Sequence, residues 1–351
     1  EGMNDIALPT FNEFAVKEQR ITLVDELRTM PDLRIEGQTL PRTLATRIWY
    51  ADGEAAKLKK MPLVLYSHGL SGSYDEGEHY AEHFVSHGYT FVSVNFPLTN
   101  MSMGENIDPV DVINQPGDIS FILDQLLARN ADPEDALFDR IDEQRIVAMG
   151  LSLGGMTTHM LGYDPQRADE RFDIAIAIAA PSAMFSQKFF NTQTLPYLAI
   201  ASPDDAFIGY LDNAVPMLEK TRNATLVTID GGSHTGYAAQ SRWLRWFDNP
   251  DSIGCYFVKS SVDEATDQDW YPMLGSVEQG YIVRSDVGVC ESELVPAINP
   301  IRQAEFALLA SWSFLQCELE PDEEKRTASC DYLADGMAQE NSVVSVLTSA
   351  N

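Results

Sequence analysis

From residue 21 to about residue 248, short apolar runs alternate with stretches whose apolar positions recur at helical spacing. The runs predict strands at Ile21–Val24, Ala45–Tyr50, Pro62–Tyr66, Thr90–Asn95, Arg145–Met149, Ile174–Ala179, Tyr197–Ala201 and Ala224–Ile229. Several are almost continuously apolar and β-branched, the pattern of strands covered on both faces. Between them the periodicity predicts helices at Gly77–His87, Pro116–Ala128, Gly154–Leu161, Tyr210–Lys220 and Ala238–Trp246. In the second of these, Ile119, Ile122, Leu123 and Leu126 share one face. Such alternation implies an α/β fold, a mainly parallel eight-stranded sheet flanked by helices. Chemistry in these sheets lies beyond the carboxyl ends of the strands, and functional residues are sought there.

The last hundred residues break the pattern. They divide the chain into an N-terminal arm (1–20), an α/β core (21–250), a loop-rich segment (251–300) and a C-terminal extension (301–351). The loop-rich segment, with Tyr256, Trp270, Tyr271 and Tyr281, reads either as a cap over the site or as a disulfide-pinned appendage. Ile301–Glu318 reads as an amphipathic helix carrying Phe306, Leu308, Leu309, Trp312 and Phe314, expected to pack on the core. Val343–Leu347 reads as a final short strand or a helix end.

Charge narrows the range of partners. Across 351 residues, 53 acidic side chains against 24 basic ones give a formal charge of −29. Such a surface repels phosphate backbones and anionic lipid heads, so nucleic acid and acidic membranes are excluded as expected partners. It also suits a high-salt medium, where screening removes the self-repulsion. No apolar run reaches bilayer length, so no transmembrane segment is expected. Nothing in the sequence fixes an oligomeric state, and a monomer is the expectation.

The four cysteines, Cys255, Cys290, Cys317 and Cys330, all follow position 250 and lack CxxC spacing, which argues against zinc. An even count confined to one region predicts two disulfides and an oxidising compartment. The sequential pairing is one of three connectivities, and spacing does not choose among them. No charged-then-apolar leader opens these residues, so the expected setting is secreted or periplasmic with the export signal outside them.

The strongest chemical signal is Gly150-Leu151-Ser152-Leu153-Gly154, a G-x-S-x-G segment between the strand pattern Arg145–Met149 and the helix pattern Gly154–Leu161. A reversal this tight forces unusual backbone angles on the serine, and the flanking glycines remove side chains that would clash. The Ser152 hydroxyl then projects above the sheet beside a helix N-terminus, which favours negative charge. A serine nucleophile needs a base, and in this arrangement the acid and then the histidine follow it in the chain. Only His159 and His234 follow Ser152. His159 falls two helical turns away and reads as a surface or packing residue, whereas His234 sits in the small-residue loop Gly231-Gly-Ser-His-Thr-Gly236 after a strand. The acid is expected after Tyr197–Ala201, where Asp204 and Asp205 adjoin, and either carboxylate could orient the imidazole.

An oxyanion hole needs two backbone N–H groups aimed at the developing charge. Leu153 follows the nucleophile and supplies one; Leu70 in Ser67-His-Gly-Leu-Ser71 is expected to supply the other, with Gly69 allowing close approach of substrate. His68 is expected to brace this loop. Glu76, Glu78, His79 and His83 have spacing that a metal could use, but no other ligand completes a site, and a solvated helix start is the expectation. Neither metal nor cofactor is called for. The loop Phe96–Asn106, with Leu98, Met101 and Met103, is expected to form an acyl-pocket wall, since thioethers adapt to varied apolar groups.

These residues resemble the α/β-hydrolase superfamily over positions 21–250. Thr22–Arg28, Arg47–Tyr50 and Leu65–Leu70 resemble bacterial platelet-activating-factor acetylhydrolase and dienelactone-hydrolase-like esterases. Pro196 through His234, with Trp243–Pro250 after it, is similar to secreted cutinase-type polyester hydrolases. That resemblance implies a register of nine residues from the strand-opening proline to the acid, which leads from Pro196 to Asp205 and makes Asp204 a turn residue. It also implies an aromatic stacked on the acyl part of the ester, and Phe185 holds the matching position. Two departures stand out: Leu153 replaces the usual methionine, and the chain continues a hundred residues past the shared region. Ser152 instead of cysteine argues against dienelactone hydrolysis proper.

The activity implied is carboxylic ester hydrolysis through an acyl-enzyme, on small or medium acyl esters and on polyesters. The same machinery serves lipid deacylases, acyltransferases and peptidases. A non-catalytic binding protein of this fold would show a missing triad member, and none is missing here.

Overall fold

A computed structural model describes residues 12–256, 271–282, 289–291 and 293–349. Nine strands form one sheet: β1 (Ala15–Pro31), β2 (Thr39–Asp52), β3 (Met61–Ser67), β4 (Thr90–Asn95), β5 (Ile141–Leu151), β6 (Ile174–Ile178), β7 (Tyr197–Ala201), β8 (Ala224–Ile229) and β9 (Val344–Thr348). Their order is β1-β2-β4-β3-β5-β6-β7-β8-β9. From β4 to β8 all neighbours are parallel, and the flanking pairs β1–β2, β2–β4 and β8–β9 are antiparallel. The central strands are buried along their length, which is why they read as uninterrupted apolar runs.

The expected eight strands are all present, and the tail supplies a ninth. Val344–Thr348 pairs with β8 from Ile229↔Val344 to Thr225↔Thr348 and covers what would otherwise be a naked edge. At the other edge β1 extends well beyond Ile21–Val24: residues 15–20 pair with β2 rather than forming an arm, and residues 1–11 lie outside the described residues. Two expected helices also differ. Pro216 divides Tyr210–Lys220 into single turns, Tyr210–Asn213 and Met217–Lys220, because proline offers no N–H to a continuing helix. The stretch Ala238–Trp246 forms tight three-residue turns over Ala239–Leu244, and its Trp243 and Trp246 are 66% and 81% exposed instead of packing inward.

Helices α1 (Glu78–Ser86), α2 (Gln115–Ala131), α3 (Leu153–Tyr163) and α4 (Pro300–Leu319) cover the faces of the sheet, and α5 (Glu323–Asp331) packs on α4. On one face α2 places Ile119, Ile122, Leu123 and Leu126 against Leu63, Leu65 and Val92. The other face belongs to α1 and α4. Asn299 caps α4 by accepting the Ile301 N–H at 2.9 Å, and Pro300 opens it. Its Phe306, Leu309 and Trp312 join a cluster with Val147, Ile176, Ile200 and Val227, and Trp312 lies 5.9 Å from the Phe84 ring. The extension is therefore part of the core packing.

Disulfides join Cys255 to Cys290 and Cys317 to Cys330, the sequential pairing. Constraining the unfolded chain over 35 and 13 residues stabilises the fold by about 4 and about 3 kcal/mol on the loop-closure estimate. Among the described residues no helix is long and apolar enough to cross a membrane.

Candidate active site

Strand β5 ends at Leu151 and α3 begins at Leu153, so Ser152 alone makes the reversal. It does so at φ 55° and ψ −119°, a strained conformation for a residue with a Cβ. The turn is held from beneath, because Ser152 N–H donates to the Ile178 carbonyl at 2.8 Å. Close packing explains the glycines: a Cβ at Gly150 would fall on the Gly154 carbonyl, and one at Gly154 on the Ser67 carbonyl. Ser152 lines a cleft of about 790 Å³ at the carboxyl ends of the strands, within the range typical of small-molecule sites.

His234 lines the same cleft and is 8% exposed. Its Nδ1 lies 2.8 Å from Asp205 Oδ2, so the proton on Nδ1 is held by the carboxylate and Nε2 is left as the basic nitrogen. Asp205 is itself fixed by the Phe207 and Ile208 N–H groups, which donate to Oδ1 at 2.7 and 2.8 Å. Asp204 points elsewhere and accepts the Gly231 N–H at 2.9 Å, tying the acid loop to the base loop. The Phe207 ring stacks on the imidazole at 4.4 Å, which limits its rotation. Burial disfavours the imidazolium, but Asp205, with further help from Asp251 and Glu76, outweighs it and raises the His234 pKa above the ordinary value.

The loop after β3 faces Ser152 across the cleft. Three of its N–H groups have partners: Gly69 donates to Glu76 Oε1 at 2.9 Å, Ser71 to the Thr99 carbonyl at 2.9 Å and Gly72 to the Gly69 carbonyl at 2.9 Å. Leu70 N–H lies between them, and among the described residues it has no acceptor. The Leu153 N–H opens α3 and has no acceptor one helical turn back, so it too is available. His68 is fully buried beneath this loop. Its Nε2 accepts the Phe96 N–H at 3.1 Å and its Nδ1 donates to the Gly69 carbonyl at 2.6 Å, while burial lowers its pKa to about 4 and keeps it neutral.

The other sequence-derived candidates divide between the cleft and the packed interior. Phe185 does not reach the cleft; it is fully buried, stacked on Phe189 at 4.2 Å and edge-on to Tyr281 at 5.6 Å. The loop after β6 turns its aromatic inward because Tyr281, from the loop-rich segment, completes an apolar cluster there. His159 is the packing residue that the sequence allowed, fully buried and bonded to Tyr197 Oη at 2.9 Å. The segment from Glu76 to His83 is not a solvated helix start. Glu76 is 5% exposed, both His79 nitrogens are buried, and Glu78 pairs with Arg47 at 3.0 Å. Among the described residues no group of three or more potential ligands could hold a metal. Of the expected acyl wall, Met101 lines the cleft, whereas Leu98 is buried and neither it nor Met103 is among the lining residues.

Beside the cleft, the burial of two carboxylates was not legible in the sequence. Asp251, fully buried, accepts the Ala206 and His234 N–H groups on Oδ2 at 3.2 and 2.9 Å and the Thr235 N–H on Oδ1 at 2.7 Å. It thus staples the acid loop to the base loop. Ile253, Gly254 and Tyr256 then line the cleft, and the Cys255–Cys290 bridge anchors this wall, with Cys290 N–H donating to the Ala206 carbonyl at 2.8 Å. Part of the expected cap, residues 257–270, 283–288 and 292, lies outside the described residues. Glu76 is the second carboxylate, and the glycines at 72 and 77 were the available clue that its segment packs closely.

A family model described as PETase, PET hydrolase-like, matches residues 47–259, more than half of the chain. Among solved structures, a ferulic acid esterase from Streptomyces cinnamoneus superposes with a TM-score of 0.57 at 17% identity, covering 92% of this chain and 97% of that one. That likeness shows a shared fold. No curated protein sequence matches the chain. With the nine-stranded sheet and its cleft in place, the family match identifies the chain as a carboxylic ester hydrolase belonging to the PET hydrolase-like family of the α/β-hydrolase superfamily.

Proposed function

We propose that Ser152, His234 and Asp205 act as a nucleophile–base–acid triad that hydrolyses carboxylic esters, with the Leu70 and Leu153 N–H groups holding the oxyanion. The observation that carries this reading is the 2.8 Å contact of His234 Nδ1 with Asp205 in a cleft that also contains Ser152. Ser152 Oγ attacks the carbonyl carbon while Nε2 of His234 takes its proton. The tetrahedral oxyanion collapses as His234 returns that proton to the departing alcohol, leaving an acyl-Ser152 ester. Water then loses a proton to His234, attacks the acyl carbon and releases the acid, and Ser152 recovers its proton. Asp205 stays ionised and stabilises the imidazolium in both halves. None of these steps needs a cofactor.

Met101, Phe207 and Tyr256 give the cleft apolar and aromatic walls, which suit medium or aromatic acyl groups. The PET hydrolase-like match and the ferulic acid esterase neighbour support esters of this kind, including polyesters. Two disulfides support an extracellular or periplasmic setting. The reading is tested by a panel of short and long p-nitrophenyl esters, an aromatic ester, phospholipid, an anilide and polyester film. Ester hydrolysis with little anilide cleavage is expected. Anilide cleavage without ester cleavage would overturn it, and absence of soluble products from film alongside ester turnover would remove the polyester part.

A further inference from the structure

Glu76 sits between β3 and α1, beneath the loop that carries Leu70, and lines the cleft although only 5% exposed. Its Oε1 accepts two donors, Gly69 N–H at 2.9 Å and Tyr66 Oη–H at 3.0 Å. Its Oε2 lies so close under Gly72 that any side chain there would fall on it. The backbone of the same residue spans the site, its N–H donating to the Ser73 carbonyl at 2.9 Å and its carbonyl accepting the Ala239 N–H, five residues past His234, at 3.0 Å. A buried carboxylate carries a large desolvation cost, and here one of its two bonds goes to the main chain beside Ser152.

We propose that Glu76 is the positioning residue of the oxyanion loop: by holding the Gly69 N–H inward, its carboxylate keeps the next N–H, that of Leu70, turned to the cleft. The inference rests on the ester-hydrolase reading above and assigns no bond-making step to Glu76. The Gly69 N–H goes to Glu76 and the Ser71 N–H to Thr99, and the Leu70 N–H between them has no acceptor among the described residues, so loss of the first anchor frees the second. Three titratable groups face the carboxylate: Tyr66 from β3 and Tyr80 from α1, both kept neutral by burial, and His234 from the loop after β8. Burial raises the Glu76 pKa to about 7, against the opposing pull of Gly69, Tyr66 and His234. The ionised form makes the stronger, charge-assisted hold on Gly69. Activity therefore falls with acid through two coupled groups, Glu76 and His234.

The test uses the full chain with a short p-nitrophenyl ester, comparing wild type with Glu76→Ala and Glu76→Gln. A folded Glu76→Ala should lose roughly 10- to 100-fold in kcat with KM changed less than about threefold, as for a displaced oxyanion donor. Glu76→Gln keeps an oxygen for Gly69 and Tyr66 but is neutral, like protonated Glu76, so its kcat near pH 8 should fall between those of wild type and Glu76→Ala. Its acid limb should lose one proton, the slope of log kcat against pH falling from about two to about one. A folded Glu76→Ala within about threefold of wild-type kcat, or a loss confined to KM, overturns the proposal. If Glu76→Ala does not fold, Glu76→Gln decides: a shallower acid limb supports the proposal and an unchanged one overturns it. Wild-type protein that neither hydrolyses any ester nor labels with a fluorophosphonate overturns the underlying reading, and this inference with it.

Discussion

Ser152 and His234 reach the same cleft by two different kinds of construction. The Ser152 side is local: one strand, one strained residue and one helix, all within positions 141–163, with glycines where backbones meet. The His234 side is long-range. His234 is set by Asp205, 29 residues earlier, and by Asp251, 17 residues later, and the wall beside it is anchored by a bridge spanning 35 residues. A local device needs only its own motif to form. The long-range one needs the sheet, the acid loop and the loop-rich segment after residue 250 to be in place together, so substitutions of the residues that staple these parts should trade stability and activity jointly.

The largest expected effect is on the base. His234→Ala should reduce kcat by about 10⁴- to 10⁶-fold with the fold intact, measured by ester turnover and melting temperature. Next is the choice of acid. Asp205→Ala should cost about 10⁴-fold, whereas Asp204→Ala, which loses one bond to Gly231, should stay within about tenfold. The reverse ranking would mean that the orienting carboxylate has been misplaced. Asp251→Ala should separate the two constructions most clearly. It strands three buried N–H donors, at a cost of roughly 3–6 kcal/mol, and should lower both the melting temperature and kcat. Lost activity with an unchanged melting temperature would contradict the staple.

The smallest effect concerns stability and pH. The Glu76 pKa is raised in the fold from the ordinary 4.5 to about 7, so the protein gains stability from the protonated form. That stability is fully present below pH 4.5 and lost as pH rises through about 7. Glu76→Gln, which does not titrate, should therefore melt higher than wild type at alkaline pH, with the difference vanishing in acid. An equal difference at both ends of the range would show that burial does not raise this carboxyl.

Where the physics was local, the sequence could be read. Strands β3 to β8 announced themselves because burial on both faces demands apolar residues throughout, and the elbow because its glycines have no substitute. Asp205 was reached through a register shared with related sequences, not through any physical difference from Asp204. Strand β9 was legible only as an alternative, since an edge strand leaves most of its residues exposed. Asp251 and Glu76 were not legible, because a carboxylate that binds backbone N–H groups leaves no spacing signature. Glu76 also sits in an acidic run that reads as a solvated surface. Phe185 was misleading for a related reason: whether an aromatic faces the cleft or the core depended on Tyr281, about a hundred residues away, which fills the space behind it.

The most direct test is active-site labelling of the intact chain by a fluorophosphonate probe, read by mass at the modified residue. Stoichiometric labelling at Ser152, lost in Ser152→Ala and strongly slowed in His234→Ala, is the predicted result. A chain that stays unlabelled, or labels equally well after Ser152→Ala, would contradict the assignment of Ser152 as the nucleophile.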